Sequence, residues 1–315
     1  MLKDTSRPGS VVVLGASSFD VVSRIENVMQ PGTSNPAVIR TSYGGVARNV
    51  AENLARLGLQ PILLTVVGKD SLGDELVAST KKTGVIMNHV HRTDKASTGI
   101  YVGIINSDGK KEVAFDDVRI LEELTVDYIG YHEDILSKAD LIFLDSNPSE
   151  EVLAAVFEIS RQHHVPVCAD PTSVSLSTKL LPFLKSIDTI VPNVLEAKTI
   201  LNRQFALDTW EAALECARAL VTEGAANAFV SMSEYGLCYA SSETSGHYPA
   251  IKTNIVDPTG AGDAMTAAIL YSKLNDIPID DAAQLGVSAA TVTLKHKGSV
   301  FPNLNIEMLY DEFSG

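Results

Sequence analysis

The stretch Asp257-Pro258-Thr259-Gly260-Ala261-Gly262-Asp263 carries the residue types needed to move a phosphoryl group. It lies between an extended apolar segment, Ile251 to Val256, and a run from Ala264 to Leu274 that reads as a buried helix. A strand, a small-residue turn and a helix in that order aim several backbone N–H groups and the positive end of a helix dipole at one spot. Such a spot suits an anion, above all a phosphate. Gly260, Ala261 and Gly262 have little side chain, so a phosphoryl group can come close to the backbone. Asp263 falls in the first helical turn, where a carboxylate is stabilised as the anion and can accept a proton from an alcohol. The competing reading is a glycine turn with a capping aspartate.

Those residues need elements to hold them. Val11-Val12-Val13-Leu14-Gly15 is an apolar run of the kind found in strands buried on both faces. Asp20 follows just past its end, where ligands gather in open α/β sheets, although a turn-capping aspartate fits the position equally well. Pro36 to Tyr43 reads as a strand, and Gly44-Gly45 leads into an amphipathic helix with Val46, Val50, Leu54 and Leu57 as its apolar stripe and Gly58 as its C′ residue. Arg48 and Asn49 flank that stripe. Asparagine forms helix poorly, so either a function or a solvated face keeps it there. Pro61 to Gly68 is expected as one buried strand and Ser71 to Thr83 as a helix closed by Gly84.

Gly99 to Asn106 and Lys111 to Asp116 are expected as strands joined by Ser107-Asp108-Gly109-Lys110, whose Asp-Gly pair signals a hairpin. With no helix between them, they and the Pro36–Tyr43 strand are expected to form a small sheet outside the main one. From about Asp140 the apolar strands Leu141–Asp145, Val165–Asp170, Asp188–Asn193 and Asn227–Met232 alternate with helical segments, which implies a doubly wound, mostly parallel sheet. Asp145 to Asn147, Asp170 and Asn193 place polar groups at strand ends. A helical segment from Pro278 to Lys297 and a tail from Asn305 complete the chain. With no repeat or linker composition, one domain over residues 1–315 is expected, with lid strands inserted at about 36–43 and 97–118.

Composition excludes other classes. Hydrophobic residues make up 45% of the chain, yet no apolar run has transmembrane length, so no membrane partner is expected. Met1 to Ser10 is polar and has no apolar core of a secretory signal. The three cysteines, Cys168, Cys216 and Cys238, lie far apart, as reduced core thiols of a cytoplasmic protein would. A net charge of −14 argues against nucleic acid as a partner. No P-loop, dinucleotide fingerprint or nucleophile elbow is present, and His89/His91 and His163/His164 lack zinc spacing.

Over roughly residues 10 to 300 the chain resembles the PfkB, or ribokinase-like, family of carbohydrate and nucleoside kinases. Gly44-Gly45-Val46-Ala47-Arg48-Asn49 is similar to the family's N-terminal Gly-Gly motif, Asp257 to Asp263 to its C-terminal motif, and Pro192-Asn193-x-x-Glu196 to its Asn-x-x-Glu element. The resemblance implies a ribokinase-like α/β fold, its sheet flanked by helices and topped by a small β-sheet lid, with ATP as co-substrate. It implies Asp263 as the base, with the backbone amides of Gly260, Ala261, Gly262 and Asp263 holding charge on the transferred group. Asn193 and Glu196 would organise Mg²⁺ through its waters. Asp20, Gly44, Gly45, Arg48, Asn49 and Asn147 would bind the substrate. Asn193, Ser231, Ser233, Gly236, Gly260 and Gly262 would meet the nucleotide, although Ser233-Glu234-Tyr235-Gly236 is poorer in glycine than the usual loop. Asp257 and Thr259, with Gly298 and Ser299 nearby, would bind a monovalent cation such as K⁺. Pairing of lids implies a homodimer.

Within the family the likeness is to the pseudouridine kinase branch, carried by Ser34-Asn35-Pro36, Arg48 before Asn49, Phe115-Asp116-Asp117, Asp145-Ser146-Asn147 and Pro249 to Asn254. That branch implies phosphorylation of a 5′-hydroxyl. A kinase for another nucleoside or ribose is the same-class alternative, and a silent sugar or nucleoside sensor the alternative from another class. Intact Asp263, Asn193 and Glu196 argue against the sensor, since binding alone needs no base. Pseudouridine exposes one more N–H donor than uridine, and Asn35, Ser42, Asp116, Asp117 and Asn147 are the candidate acceptors.

Overall fold

The computed structural model describes residues 9–106, 111–203 and 209–314. Strand β1 (Val11–Leu14) lies inside an eight-stranded sheet, while β2 (Ser18–Ile25) and β3 (Ala37–Gly44) belong to a separate four-stranded one. Strand β4 (Ile62–Leu64) returns to the large sheet, and β5 (Val66–Gly68) pairs with β6 (His91–Thr93) on its own. The small sheet is completed by β7 (Ile100–Ile105) and β8 (Lys111–Asp117), and the large one by β9 (Leu141–Asp145), β10 (Val167–Asp170), β11 (Thr189–Ile190), β12 (Asn227–Ser231), β13 (Leu237–Ser241) and β14 (Ser245–Tyr248). The large sheet runs β14-β13-β12-β11-β10-β9-β1-β4, parallel from β4 through β12 and antiparallel at β13 and β14.

The helices are α1 (Val46–Arg56), α2 (Ser71–Lys82), α3 (Val126–Tyr131), α4 (Glu133–Ser137), α5 (Glu150–His163), α6 (Val194–Leu201), α7 (Trp210–Glu223), α8 (Ala261–Leu274), α9 (Ile279–Leu294) and α10 (Ile306–Ser314). They flank the large sheet, because its central strands are apolar on both faces and must be covered twice. Val12 and Leu14 of β1 pack into one core with Val152 and Val156 of α5 and Leu220 of α7. Val11 and Val13 pack into another with Val50 and Leu54 of α1 and Leu270 of α8. This is the doubly wound α/β arrangement that the alternating apolar strands imply.

The structure departs from the sequence reading at four places. Asp20 is not in a loop but inside β2, which pairs antiparallel with β3 and parallel with β7 at the centre of the small sheet. The expected strand from Pro61 to Gly68 breaks at Thr65, whose buried hydroxyl donates to the Gly15 carbonyl at 2.7 Å, so β4 and β5 join different sheets. Ile251 to Val256 is not a strand. The segment pairs with no strand, Ile255 is 64% exposed, and Val256 N–H donates to the Leu294 carbonyl at the end of α9. The edge of the sheet is instead the β13–β14 hairpin, which the sequence reading did not propose. The Ser107–Lys110 turn of the predicted β7–β8 hairpin lies outside the described residues, but the two strands do pair antiparallel.

Candidate active site

Two helix starts meet in the cleft between the sheets. At α1, Gly45 is the N-cap with φ 91°, and a Cβ there would stand 2.4 Å from the Ala16 carbonyl oxygen, so only glycine fits. At α8, Gly260 is the N-cap with φ 78°, and a Cβ there would meet the Ser299 carbonyl oxygen at 1.9 Å. Helix α8 begins at Ala261, so the first N–H groups after Gly260 have no acceptor within the helix, as N–H groups that bind an anion would not. A Cβ on Gly262 would find open space, which leaves room for a ligand against that backbone.

Asp263 sits half-buried in the first turn of α8, and Asn49 of α1 donates from Nδ2 to its Oδ2 at 2.6 Å. Burial pushes the Asp263 carboxyl up to about 7. The Asn49 hydrogen bond and the Arg48 charge pull it down, and the charges of Asp145 and Asp20 push it up. Neither Arg48 nor Asn49 lies on a solvated face. They are 3% and 4% exposed, and that alternative of the sequence reading falls. Asp20 is also buried and is pushed up to about 6 by burial, against the Ser18 hydroxyl donating at 2.7 Å and the Arg48 charge. Gly44 makes room for it, since a Cβ there would lie 2.0 Å from Asp20 Oδ2.

Two acids at strand ends were read from the sequence only as polar groups, and the structure gives them definite work. Asp145, fully buried, accepts from the backbone N–H groups of Ala16 at 2.8 Å and Ala47 at 3.1 Å. Its other oxygen accepts from Asn147, whose N–H and Nδ2 each donate at 3.0 Å. One carboxylate thus ties the end of β1, the start of α1 and the Asn147 loop together. Asp170, at the end of β10, is pushed well above the usual carboxylate range by burial, then by the charges of Glu196 and Asp263. Its neighbour Thr172 holds a left-handed φ of 67° and donates its N–H to Asp170 at 2.7 Å.

Asn193 and Glu196 form a capping box on α6. Asn193 Oδ1 accepts from the Leu195 and Glu196 N–H groups, and Glu196 Oε2 accepts from the Asn193 N–H at 2.9 Å. Burial raises the Glu196 carboxyl. No group of three or more His, Cys, Asp or Glu side chains among the described residues is placed to hold a bare metal ion. The donor set does fit hydrated Mg²⁺. Asp170 and Glu196 are hard oxygen acids, and a dication held through its waters would relieve the charge of Glu196 on Asp170.

Beyond α8 a cavity of about 490 Å³ opens, lined by Ser231, Ser233, Gly236 and Gly262 among the residues singled out for a nucleotide. Its apolar wall includes Ile251 and Ala290. Asn193 reaches the same place through a backbone bridge to Ser231. Asp257 accepts from the Thr259 N–H at 2.9 Å and the Gly298 N–H at 3.2 Å, which brings Asp257, Thr259, Gly298 and Ser299 into one loop cluster beside Gly260.

The candidate base readers separate. Asp20, Ser42, Tyr101 and Asp116 occupy one cross-strand row and so one face of the small sheet. Asp117 is one residue on, faces the other way, and is held by Arg119 at 2.6 Å. Asn35 braces its own loop, accepting from the Gln30 N–H and donating to the Gln30 and Thr33 carbonyls. Neither Asp117 nor Asn35 is presented with Asp20.

The large sheet is mostly parallel, and two helix starts and several carboxylates gather at one cleft. Residues 9–306 match the pfkB family carbohydrate kinase, and the chain belongs to that family. Pseudouridine kinase from Escherichia coli (strain K12) is 32% identical to it, with 94% of each chain covered. Guanosine-inosine kinase from Exiguobacterium acetylicum is 26% identical, covering 93% of this chain and 97% of its own. Among solved structures, Arabidopsis thaliana ribokinase complexed with ribose and ATP has a TM-score of 0.83 at 20% identity over 98% of this chain and 99% of its own, a likeness of fold. Kinases of this family use ATP, and the chain is a sugar or nucleoside kinase.

Proposed function

We propose that this kinase transfers the γ-phosphoryl group of ATP to the 5′-hydroxyl of pseudouridine. The observation that carries the chemistry is the Asn49–Asp263 contact at the start of α8. Asn49 occupies Asp263 Oδ2 and leaves Oδ1 to take the proton of the attacking hydroxyl. The free N–H groups of the first α8 turn hold the negative charge that builds on the phosphoryl oxygens. The cavity beyond α8 would take ATP, with its phosphates toward Gly262 on the cavity wall. Asn193 and Glu196, together with Asp170, would hold Mg²⁺ through water, where it would offset phosphate charge. Asp257 and Thr259 would serve a monovalent cation such as K⁺.

The small sheet acts as the lid, with Asp20 on the ribose and Ser42 and Asp116 of the same row toward the base. Its other face carries Val21, Ile39, Val102, Ile104 and Phe115, with Ile39 64% and Phe115 61% exposed, which supports pairing with the lid of a second copy. Cys168, Cys216 and Cys238 are free and buried, which supports a cytoplasmic setting.

The test is a panel of nucleosides and sugars with ATP, read by ADP release. An acceptor left unpaired by uridine costs about 1–3 kcal/mol, so kcat/KM for pseudouridine is expected to exceed that for uridine by at least about tenfold. The likeness to guanosine-inosine kinase makes another nucleoside the second reading. If a purine nucleoside or ribose proves best, the pseudouridine assignment fails and the kinase assignment stands.

A further inference from the structure

Arg48 has no solvent and little freedom. Its guanidinium offers five N–H donors and no acceptor. Nε donates to the Gly44 carbonyl at 3.2 Å, Nη1 to Glu52 Oε2 at 2.5 Å, and Nη2 to the Tyr43 carbonyl at 2.7 Å and Ser299 Oγ at 3.3 Å. Nη2 also donates to Asn49 Oδ1. Tyr43 and Gly44 close β3, where the small sheet joins α1. Ser299 in turn donates its hydroxyl to the Tyr43 carbonyl at 2.9 Å and packs on the α8 N-cap. One side chain therefore bonds to the end of β3, to Glu52 and Asn49 of its own helix, and to Ser299 in the loop behind Gly260.

We infer that Arg48 is the positioning residue that fixes which way the Asn49 amide faces Asp263, and so keeps Asp263 an acceptor for the hydroxyl proton. An asparagine amide has an oxygen that accepts and a nitrogen that donates, and the two can exchange places by a flip. Arg48 can only donate, so it selects the Asn49 oxygen. The amide nitrogen must then face Asp263, where it stabilises the ionised carboxylate. Without Arg48 the amide can flip and present its oxygen, which favours a protonated Asp263, a form that cannot act as base. The charged and titratable groups around Asp263 are Arg48 from α1, Asp20 from β2, Asp145 from β9 and Asp170 from β10. Arg48 is the lone cation of that set, and its charge works in the same direction as the amide.

The inference rests on the kinase reading, and its test has an arm that does not. Asp263 is titrated by carboxyl ¹³C NMR in the free protein, without substrate, in wild type and in Arg48→Met. The midpoint is expected to rise from about 7 by about one pH unit, the lower range for loss of a neighbouring opposite charge. The ionised fraction at pH 7 would then fall from about half to about a tenth, so kcat at pH 7 drops about fivefold and recovers above pH 9. KM for the nucleoside is expected to stay unchanged, because Nε, Nη1 and Nη2 all bond to protein groups and leave none of the direct substrate contact that the resemblance implied for Arg48. Glu52→Gln removes the ion pair but not the Arg48–Asn49 contact, so it should lower the melting temperature and leave the midpoint alone. If Arg48→Met does not fold, Arg48→Gln, also neutral, carries the test. An unchanged Asp263 midpoint in the neutral variant overturns the inference, as does a raised nucleoside KM with an unshifted pH profile. If wild type phosphorylates nothing at any pH while the midpoint still shifts, the kinase reading fails and the positioning role survives.

Discussion

The two ends of the cleft are built differently. At the Asp263 end, polar side chains from α1, β2 and β9 are tied to one another or to backbone N–H groups, and two glycines at helix starts allow contacts no other residue would fit. At the cavity end the wall is made of backbone and of side chains such as Ile251, Met265, Val287 and Ala290, with the irregular 251–256 segment along its rim. A proton transfer needs atoms placed within tenths of an ångström, which a network of directional bonds supplies. A flat purine needs shape and apolar area, which non-directional packing supplies with more tolerance.

Three changes would break or sharpen that contrast. The largest effect is expected from Asp263→Asn, which should cost about 10²–10⁴-fold in kcat with nearly normal substrate binding. A variant that keeps wild-type kcat would remove directional chemistry from that end. Next, Ala290→Leu would fill part of the cavity. Overpacking costs about 1–3 kcal/mol, so KM for ATP should rise roughly tenfold with nucleoside KM and the pH profile unmoved. A loss of kcat without a change in KM for ATP would place the nucleotide elsewhere.

The smallest effect is on stability against pH. Burial raises Asp263 to about 7 and Asp20 to about 6, so the folded chain binds more protons than the unfolded one between their ordinary values and these. The resulting stability is fully present below about pH 4 and is lost as pH rises through 6 and 7. The urea midpoint should therefore fall from pH 5 to pH 8, and Asp263→Asn should flatten that fall. An equal slope in the variant would mean that the Asp263 carboxyl is not desolvated at all.

How much of this was legible in the sequence follows from how local each feature is. The runs Val11–Leu14 and Leu141–Asp145 announce buried strands, because apolar residues on both faces leave them no other stable place. Gly58 and Gly84 mark helix ends, since φ values of 92° and 102° there suit glycine. The spacing from Gly260 to Asp263 puts a carboxylate in the first turn of α8 whatever surrounds it. Motifs of small and polar residues around helix starts were legible in the same way, and the structure brings two of them together at Asn49 and Asp263.

Partner choice and desolvation were not legible. Nothing in Ser18–Ile25 says that it pairs with both β3 and β7, and nothing in Ile251–Val256 says that it pairs with neither neighbour. Arg48 and Asn49 look like a polar flank of their helix until α8 and the end of β3 close over them. The sequence alone determined the central parallel strands and their helices, though not the β13–β14 hairpin or the break at Thr65, and which residues could carry a proton or a phosphate. Only the tertiary structure decided which carboxylates share a cleft and lose water together, because that depends on chain segments more than two hundred residues apart, as Asn49 and Asp263 are.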